Sequence, residues 1–441
     1  MSKNHNLVGE EFDPPGGRAK VTGEARYADD FIFDNALHAK MVKSPYPHAK
    51  VKSIDTSAAE DMNGVEAVAT FEDAPDRSVG MPAMDRRPKV YGYPVAAVAA
   101  QDNYTAAAAC EEIEVEYEQL PHVIDPVETL KPGSPNARMD GNIPTGEATG
   151  ESAEGQGGGN VAVGEVKWKN ADFSTRFPSN PGEWTVKWSW GDVESKLSQA
   201  DVVVEDTVQA HRIVTNPMEP RSNAAHWKSN GKLTIWGSSQ SISLTHLGLA
   251  GYLGINPFNM TFIGNFAGGG FGSKGTWYPQ MAVPALLSKK INKPVKLRGT
   301  RREEFHWGNG RTGELYKFRL GFTNSGSLIA ADIQAISDAG AYSSAALSGL
   351  GSSFDSFSSI LNPETMRVRG IGVFTNKPKT WPMRGPGENQ AAMAVSQVMD
   401  KAAEKLGMDP LDLKQKNSPN QGSPVGEARN PLTSAYQAEA L

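Results

Sequence analysis

Cysteine is nearly absent from this 441-residue chain, which carries only Cys110. A single thiol excludes an intrachain disulfide framework. It also cannot ligate an iron–sulfur cluster, which requires several cysteines. Because Cys110 directly follows four alanines, we expect it to be a small buried residue on a helix.

Histidine is scarce and poorly spaced for metal binding. The eight histidines lie at positions 5, 38, 48, 122, 211, 226, 246 and 306. No two of them have the spacing of a protein-ligated zinc site. A G-x-S-x-G nucleophile elbow is also missing. If the protein is an enzyme, these absences favour a bound cofactor that carries the chemistry.

Long apolar runs and a strong net charge are absent as well. No run approaches the roughly 18–20 apolar residues of a membrane span. The first residues have neither the apolar core of a signal peptide nor a twin-arginine pair. The formal charge of −6 gives no general attraction to nucleic acid or anionic membranes. We therefore expect a cytoplasmic protein without nucleic-acid or membrane partners.

Four parts follow from the residue pattern: an N-terminal segment (1–17), a mixed region (18–131), a glycine-rich linker or surface excursion (132–182) and a second mixed region (183–441). The third part includes the stretch GEATGESAEGQGGGN (146–160), which is almost free of large apolar side chains and so cannot bury much surface. Short β-type runs and separate helical stretches in the mixed regions predict an α+β fold.

Individual elements can be placed by periodicity. Strands are predicted at 37–42, 95–99, 113–117, 202–204 and 233–236, helices at 104–111, 278–290 and 389–406, and a hairpin at 321–340. The helix at 389–406 has one apolar stripe at three- and four-residue steps. Gly407 is well placed to end it, and Pro410 prevents its continuation.

A glycine-rich turn at residues 268–274, GGGFGSK, is the first candidate site. It nearly matches two phosphate-binding motifs and fits neither. A P-loop requires Ser or Thr after the lysine, but Ser273 precedes Lys274 and Gly275 follows it. The dinucleotide fingerprint requires glycine where Ser273 stands. These mismatches favour a less common cofactor, although an ordinary tight turn between strand and helix stays open.

The second candidate is the turn MRGPGENQ at residues 383–390, which precedes the helix at 389–406. It places free N–H groups and Arg384 at the positive end of a helix, which favours an anionic ligand. An ordinary loop with a solvated arginine is equally compatible with this motif taken alone.

Both turns occur with seven further segments in one order. These are VTGEARYADD (21–30), SPYPHA (44–49), GVEAV (64–68), NPMEPR (216–221), SQ (239–240), DAGAY (338–342) and LGMDP (406–410). Together they resemble the molybdenum-binding subunit of the xanthine dehydrogenase and aldehyde oxidase family. The resemblance runs from about Arg18 to the end of the chain.

The resemblance implies an α+β "hammerhead" domain at 18–131 and the first half of a molybdopterin-binding domain at 183–441. It assigns catalytic roles to Gln240 and Arg384. The implied cofactor-binding residues are Gly269, Gly270, Phe271, Gly272 and Gly385. The cofactor would be molybdopterin, in its cytosine dinucleotide form, with molybdenum. No protein side chain would ligate the metal, because the pterin dithiolene supplies the sulfur ligands.

Partner subunits are expected on the same basis. Members of this family pass electrons to 2Fe–2S and FAD centres, which this chain does not encode. The family's catalytic glutamate lies in a later half, which is missing because the chain stops at Leu441. We therefore expect a second molybdopterin-binding polypeptide that carries the glutamate. Glu165 and Glu427 stand in Val-Gly-Glu triplets, but one borders the linker and the other follows the long helix in a polar stretch, so neither is assigned as the base.

The implied reaction hydroxylates an activated carbon of a small molecule with oxygen from water. Candidate substrates are aldehydes, N-heterocycles, aromatic compounds and cyclic compounds. Gly275 and Pro386 replace a glutamate and an aromatic residue of the purine-oxidising members, which disfavours xanthine. Desaturation of a cyclic ketone by the same cofactor stays open, as does a non-catalytic scaffold half. Retention of Gln240, the glycine turn and Arg384 argues against the scaffold.

Overall fold

Helices and strands alternate along the chain in the computed structural model. It describes residues 11, 13–75, 81–145, 162–170, 173, 177, 183–342, 345–380 and 383–432. Most of the predicted N-terminal segment and the centre of the predicted linker, 146–161, lie outside these residues.

The helices are α1 (Gly17–Val21), α2 (Ser57–Glu60), α3 (Asn103–Glu111), α4 (Val193–Gln199), α5 (Ile242–Leu253), α6 (Ala282–Ile291), α7 (Arg301–Trp307), α8 (Ala345–Ile360), α9 (Glu388–Leu406) and α10 (Pro410–Lys416). The strands are β1 (Leu37–Lys43), β2 (Ala49–Asp55), β3 (Val65–Thr70), β4 (Pro94–Ala100), β5 (Glu114–Gln119), β6 (Ile143–Thr145), β7 (Ala162–Gly164), β8 (Val186–Trp190), β9 (Val202–Ala210), β10 (Ile213–Val214), β11 (Ser222–Trp227), β12 (Leu233–Gly237), β13 (Met260–Ile263), β14 (Val295–Arg298), β15 (Gly310–Arg311), β16 (Gly313–Phe322), β17 (Leu328–Asp338), β18 (Thr365–Val373), β19 (Pro424–Val425) and β20 (Asn430–Pro431).

A seven-stranded sheet joins the two mixed regions of the sequence. Its strand order is β13-β12-β11-β14-β1-β4-β3, and β1 runs parallel to β14 with Leu37 opposite Val295. Successive residues of β4 face opposite sides of the sheet. Ala97 and Ala99 belong to the core that contains α6, whereas Ala96 and Val98 pack with residues of α3. The first region therefore shares its sheet and its core with the second.

A five-stranded sheet in the order β8-β18-β17-β16-β9 forms the second centre of the fold. Every residue of β17 is buried, because helices α8, α9 and α10 cover one face and other segments cover the opposite face. That opposite face holds Leu130, Ile143, Val166 and Trp168 against the sheet. Since β6 also pairs with β7, both described ends of the predicted linker are anchored on this sheet.

The strongly periodic elements match their predictions. Helix α9 covers Glu388–Leu406 and ends at Gly407, whose φ of 66° is the left-handed conformation expected of a helix-ending glycine. Pro410 also begins α10, where Asp409 caps the new helix. Within the described residues, no helix is both long and apolar enough to cross a membrane.

The predicted helix at 278–290 begins later than the pattern suggested. A 3-10 turn spans Pro279–Met281, and α6 follows at Ala282–Ile291. Pro284 therefore lies in the first turn of α6, where a backbone N–H has no partner within the helix and proline costs little.

Tyr342, in the second mixed region of the sequence, forms hydrogen bonds with the first mixed region. The Tyr342 hydroxyl donates to Asp85 Oδ2 at 2.8 Å and accepts from the Lys89 N–H at 3.0 Å. Its ring stacks on Tyr93 with 4.6 Å between centroids. Burial is the main reason that the pKa of Tyr342 lies well above its usual value, and the negative charge of Asp85 adds to it.

Tyr342→Phe should lower the free energy of unfolding by about 1–3 kcal/mol, because it leaves the Lys89 N–H and one Asp85 oxygen without this partner. Urea unfolding followed by fluorescence measures the change. Tyr104→Phe is the matched control, since Tyr104 is 89% exposed. Equal unfolding midpoints for Tyr342→Phe and the wild type would contradict this role.

Candidate functional site

The glycine turn after β13 adopts backbone conformations that glycine favours. The φ angles are 97° at Gly269 and 101° at Gly272. Phe271 has a φ of 52°, a region that a bulky residue rarely occupies. The Ser273 N–H donates to Gly270 O at 2.8 Å and closes the turn. Phe271 is thereby held at the surface, with 43% of the residue exposed.

Gln240, three residues after β12, is fixed against this turn. Its N–H donates to Lys274 O at 2.8 Å. Its Oε1 accepts from the N–H groups of Gly272 at 2.9 Å and Lys274 at 3.2 Å. A Cβ on Gly270 would lie 2.3 Å from that oxygen, so a larger residue there would displace the Gln240 side chain. Among the described residues, none accepts a hydrogen bond from Gln240 Nε2, which leaves this donor available.

Lys274, the lysine of the turn, points into the protein. Its fully buried Nζ donates to Glu219 Oε2 and Glu219 O, both at 2.9 Å, and to Ser238 Oγ at 3.1 Å. Glu219 Oε2 also accepts from the Gly268 N–H at 2.8 Å. Lys274 and Glu219 therefore hold the turn from within, and this lysine is unavailable to a phosphate.

Opposing effects set the pKa values of this pair. Burial lowers the pKa of Lys274, and the charge of Glu219 opposes that shift. Burial alone would raise the pKa of Glu219, but Lys274, Ser238 and the Gly268 N–H outweigh it and hold the value below normal. The lowered pKa of Glu219 keeps its carboxylate ionised at neutral pH beside Lys274.

A second buried ion pair supports the turn from behind. Arg221 Nη1 and Glu304 Oε2 are 2.7 Å apart, and both side chains are fully buried. Arg221 Nη2 donates to Ser273 O at 2.6 Å. Glu304 lies on α7, whose start is fixed by a capping box between Thr300 and Glu303.

The second turn, before α9, joins the glycine turn directly. The Arg384 N–H donates to Phe271 O at 2.8 Å. Arg311 Nη2 donates to Arg384 O at 2.6 Å, and Arg311 Nη1 donates to Gly385 O and Gln390 Oε1. Gly385 has a φ of 71°, and a Cβ there would lie 2.5 Å from Asn389 Nδ2.

A buried carboxylate lies beneath the second turn. Glu314 accepts hydrogen bonds from Thr312, Tyr316, Ser337 and Ser353. Ser353 also donates to Gly387 O at 3.1 Å. Burial raises the pKa of Glu314, although its hydroxyl donors favour the ionised form. This group supports the turn from below and is enclosed by its donors.

The structure brings every residue predicted for the site into one region: Gln240, Gly269, Gly270, Phe271, Gly272, Arg384 and Gly385. The N–H groups of Gly269, Gly270, Phe271, Gly385 and Gly387 donate to none of the described acceptors. The exposed Arg384 guanidinium likewise has no partner within the described part of the chain. Such a donor set fits an anionic, oxygen-rich group.

Three supporting residues were not assigned from the sequence. Glu219 and Arg221 lie in the NPMEPR segment, which marked the resemblance without indicating an ion pair. Arg311 carries no motif signal, because its role depends on the pairing of β15 with β10. In the described ranges, no group of three or more His, Cys, Asp or Glu side chains is placed to hold a metal ion.

Lys274→Met should lower the free energy of unfolding by about 3–5 kcal/mol, because it leaves the buried carboxylate of Glu219 without its cation. Thermal or urea unfolding measures the loss. Lys187→Met is the control, since Lys187 is exposed on β8. If Lys274→Met unfolds at the wild-type midpoint, the pair does not hold the turn as described.

Two family models and curated relatives match the chain. Residues 22–121 match the aldehyde oxidase and xanthine dehydrogenase a/b hammerhead domain, and residues 176–418 match the molybdopterin cofactor-binding domain. A probable xanthine dehydrogenase subunit of Bacillus subtilis is 31% identical over 96% of this chain and 53% of its own length. The nicotinate dehydrogenase large molybdopterin subunit of Eubacterium barkeri is 28% identical over 96% of this chain and 92% of its own length.

Solved structures agree with these matches. The carbon monoxide dehydrogenase of Oligotropha carboxidovorans superposes with a TM-score of 0.77 at 25% identity, over 95% of this chain and 52% of that one. An aldehyde oxidoreductase of Desulfovibrio desulfuricans has a TM-score of 0.80 over 98% of this chain and 46% of that one; at 23% identity it supports the fold alone. The chain thus spans about half the length of most of these proteins.

The predicted α+β class and the predicted order of a hammerhead domain followed by a molybdopterin-binding domain are confirmed. The roles of the individual site residues and the exact domain boundaries stay predictions. With more than half of its length matched by the cofactor-binding model, the chain belongs to the xanthine dehydrogenase and aldehyde oxidase family of molybdopterin-dependent oxidoreductases.

Proposed function

We propose that this chain is one subunit of a cytoplasmic molybdenum hydroxylase that is active only with its partner subunits. The complex would hydroxylate an activated carbon of an aldehyde, N-heterocycle, aromatic or cyclic substrate with oxygen from water. One observation carries the proposal: Gln240 is fixed on the glycine turn, and that turn is hydrogen-bonded to Arg384 at 2.8 Å through Phe271 O. Three segments that are distant in sequence thus present their free donors together.

The chain's own groups would bind and orient the cofactor. The free N–H groups of Gly269, Gly270, Phe271 and Gly385 would donate to its oxygens, with Gly272 holding Gln240 in place. Gln240 Nε2 and the Arg384 guanidinium would contribute the side-chain donors. When bound, the molybdenum cofactor, in its cytosine dinucleotide form, would supply the two-electron oxidation of the substrate carbon.

Partner subunits would complete the electron path and the site. We propose a 2Fe–2S subunit, an FAD subunit and a second molybdopterin-binding polypeptide that carries the catalytic glutamate. The coverage of about half of most relatives supports a further molybdopterin-binding region, whether on a partner or on a continuation of this chain. Three buried carboxylates around the turns are already engaged: Glu219 and Glu304 are ion-paired, and Glu314 is enclosed by hydroxyl donors. None of these three is free to accept a substrate proton.

Gln240→Ala should lower kcat by about 10²–10³-fold, because it removes a preorganised donor from the reacting region. Gln240→Glu separates the two functions of the side chain, since it keeps an oxygen for the Gly272 and Lys274 N–H groups but has no NH₂ group. We expect both variants to retain assembly and molybdenum, and both to lose turnover. Gln199→Ala is the control at an exposed position on α4. Wild-type kcat in Gln240→Glu would refute the donor role.

The reaction type is tested by product analysis in ¹⁸O-labelled water. Hydroxylation incorporates the label into the product, as we expect. Desaturation of a cyclic ketone also removes hydride beside an activated carbon, but it gives an unlabelled product. An unlabelled product from the active complex would replace hydroxylation with desaturation. A correctly assembled complex that contains no cofactor and turns over none of the four substrate classes would instead support the scaffold.

A further inference from the structure

Helix α5 (Ile242–Leu253), which follows Gln240, contains no charged residue. Its inner face is buried through Thr245, Leu249, Ala250 and Tyr252. Its outer face carries Leu244, 39% exposed, Leu247, 55% exposed, and Gly251. Ile242, 47% exposed, adds to this face, and Ser243 is an exposed polar residue on it. A surface helix of a globular protein normally carries charged and polar residues on its outer face. The mostly apolar outer face of α5 therefore has the composition of an interface.

Phe258 extends this apolar surface. It lies on the 3-10 turn Pro257–Asn259 and is 96% exposed. His246 of α5 holds the turn in place, because its Nε2 lies 3.1 Å from Pro257 O and 2.9 Å from Met260 O. The Phe258 side chain is therefore held at the surface, where it can contact another polypeptide. We call Leu244, Leu247, Gly251 and Phe258 the α5 patch.

The position of the patch indicates what covers it. Helix α5 begins two residues after Gln240, so its first turn lies next to the proposed cofactor site. A Cβ on Gly251 would meet no heavy atom within 4 Å, which leaves room for close approach of another backbone. Exposed apolar residues grouped on one helix and on the turn that follows it mark an interaction site, whereas single scattered leucines do not.

We propose that the α5 patch docks the polypeptide segment that completes the molybdopterin-binding region. This inference rests on the proposed function. The chain covers 53% of the Bacillus subtilis relative, so about half of that relative has no counterpart in residues 1–441. Because the patch is uncharged, the docking segment would present an apolar face without charged side chains. A buried charge opposite such a face would have no partner.

Photo-cross-linking in the native complex tests the occupant directly. Phe258→p-benzoylphenylalanine should cross-link to a peptide of the completing segment, whether that segment lies on a separate polypeptide or on a continuation of this chain. Tyr104→p-benzoylphenylalanine is the control, since Tyr104 is 89% exposed outside the patch. A peptide from a second copy of residues 1–441 or from the iron–sulfur subunit would overturn the proposal, as would the absence of any cross-link.

Leu247→Glu supplies an independent measurement. It should lower both the bound completing segment and the molybdenum content about tenfold or more, because it buries an unpaired charge in the interface. Thermal unfolding of the variant chain alone should match the wild type, since Leu247 is exposed. Tyr104→Glu is the matched control. Retention of the segment by Leu247→Glu at wild-type levels would refute the docking site.

Different results would refute the proposed function and the proposed docking site. If the wild-type complex contains no molybdenum, the proposed function is wrong. If the wild-type complex contains molybdenum but Phe258 cross-links elsewhere, only the docking site is wrong.

Discussion

The hydrogen bond from the Arg384 N–H to Phe271 O joins the two halves of the candidate site. It connects a turn that follows an edge strand of the seven-stranded sheet to a turn that precedes a helix of the second core. The positive φ at Phe271 accompanies this contact. Such a conformation persists only when the surroundings fix it. Gln240 fixes it on one side, and Arg311 fixes Arg384 on the other.

Buried charge supports both turns from within the protein. Lys274 with Glu219, and Arg221 with Glu304, place two ion pairs behind the glycine turn. Buried pairs of this kind add little net stability compared with apolar packing, but losing one partner is costly. Their hydrogen bonds instead determine where the backbone lies: Glu219 binds the Gly268 N–H, and Arg221 binds Ser273 O. The N–H groups of Gly269, Gly270 and Phe271 remain without an acceptor among the described residues.

Local sequence signals predicted the periodic elements and both turns. Helix α9 follows from its side-chain periodicity, strand β4 was visible as a short β-type run, and the glycines of the turns were visible as motifs. The start of α6 was missed, because a 3-10 turn and a helix share one pattern. The parallel pairing of β1 with β14 could not be predicted, since it joins residues far apart in the chain. The burial of Lys274 was also hidden, because the phosphate-loop motif that it resembles places lysine toward a ligand.

We propose that these two turns form one side of a molybdopterin site and that further polypeptide completes it. The most direct test is the molybdenum and pterin content of the natively purified complex, with each co-purifying polypeptide identified by mass spectrometry. We predict equal amounts of molybdenum, pterin and this chain, together with the remainder of the molybdopterin-binding region. An intact complex that contains neither molybdenum nor pterin would contradict the claim.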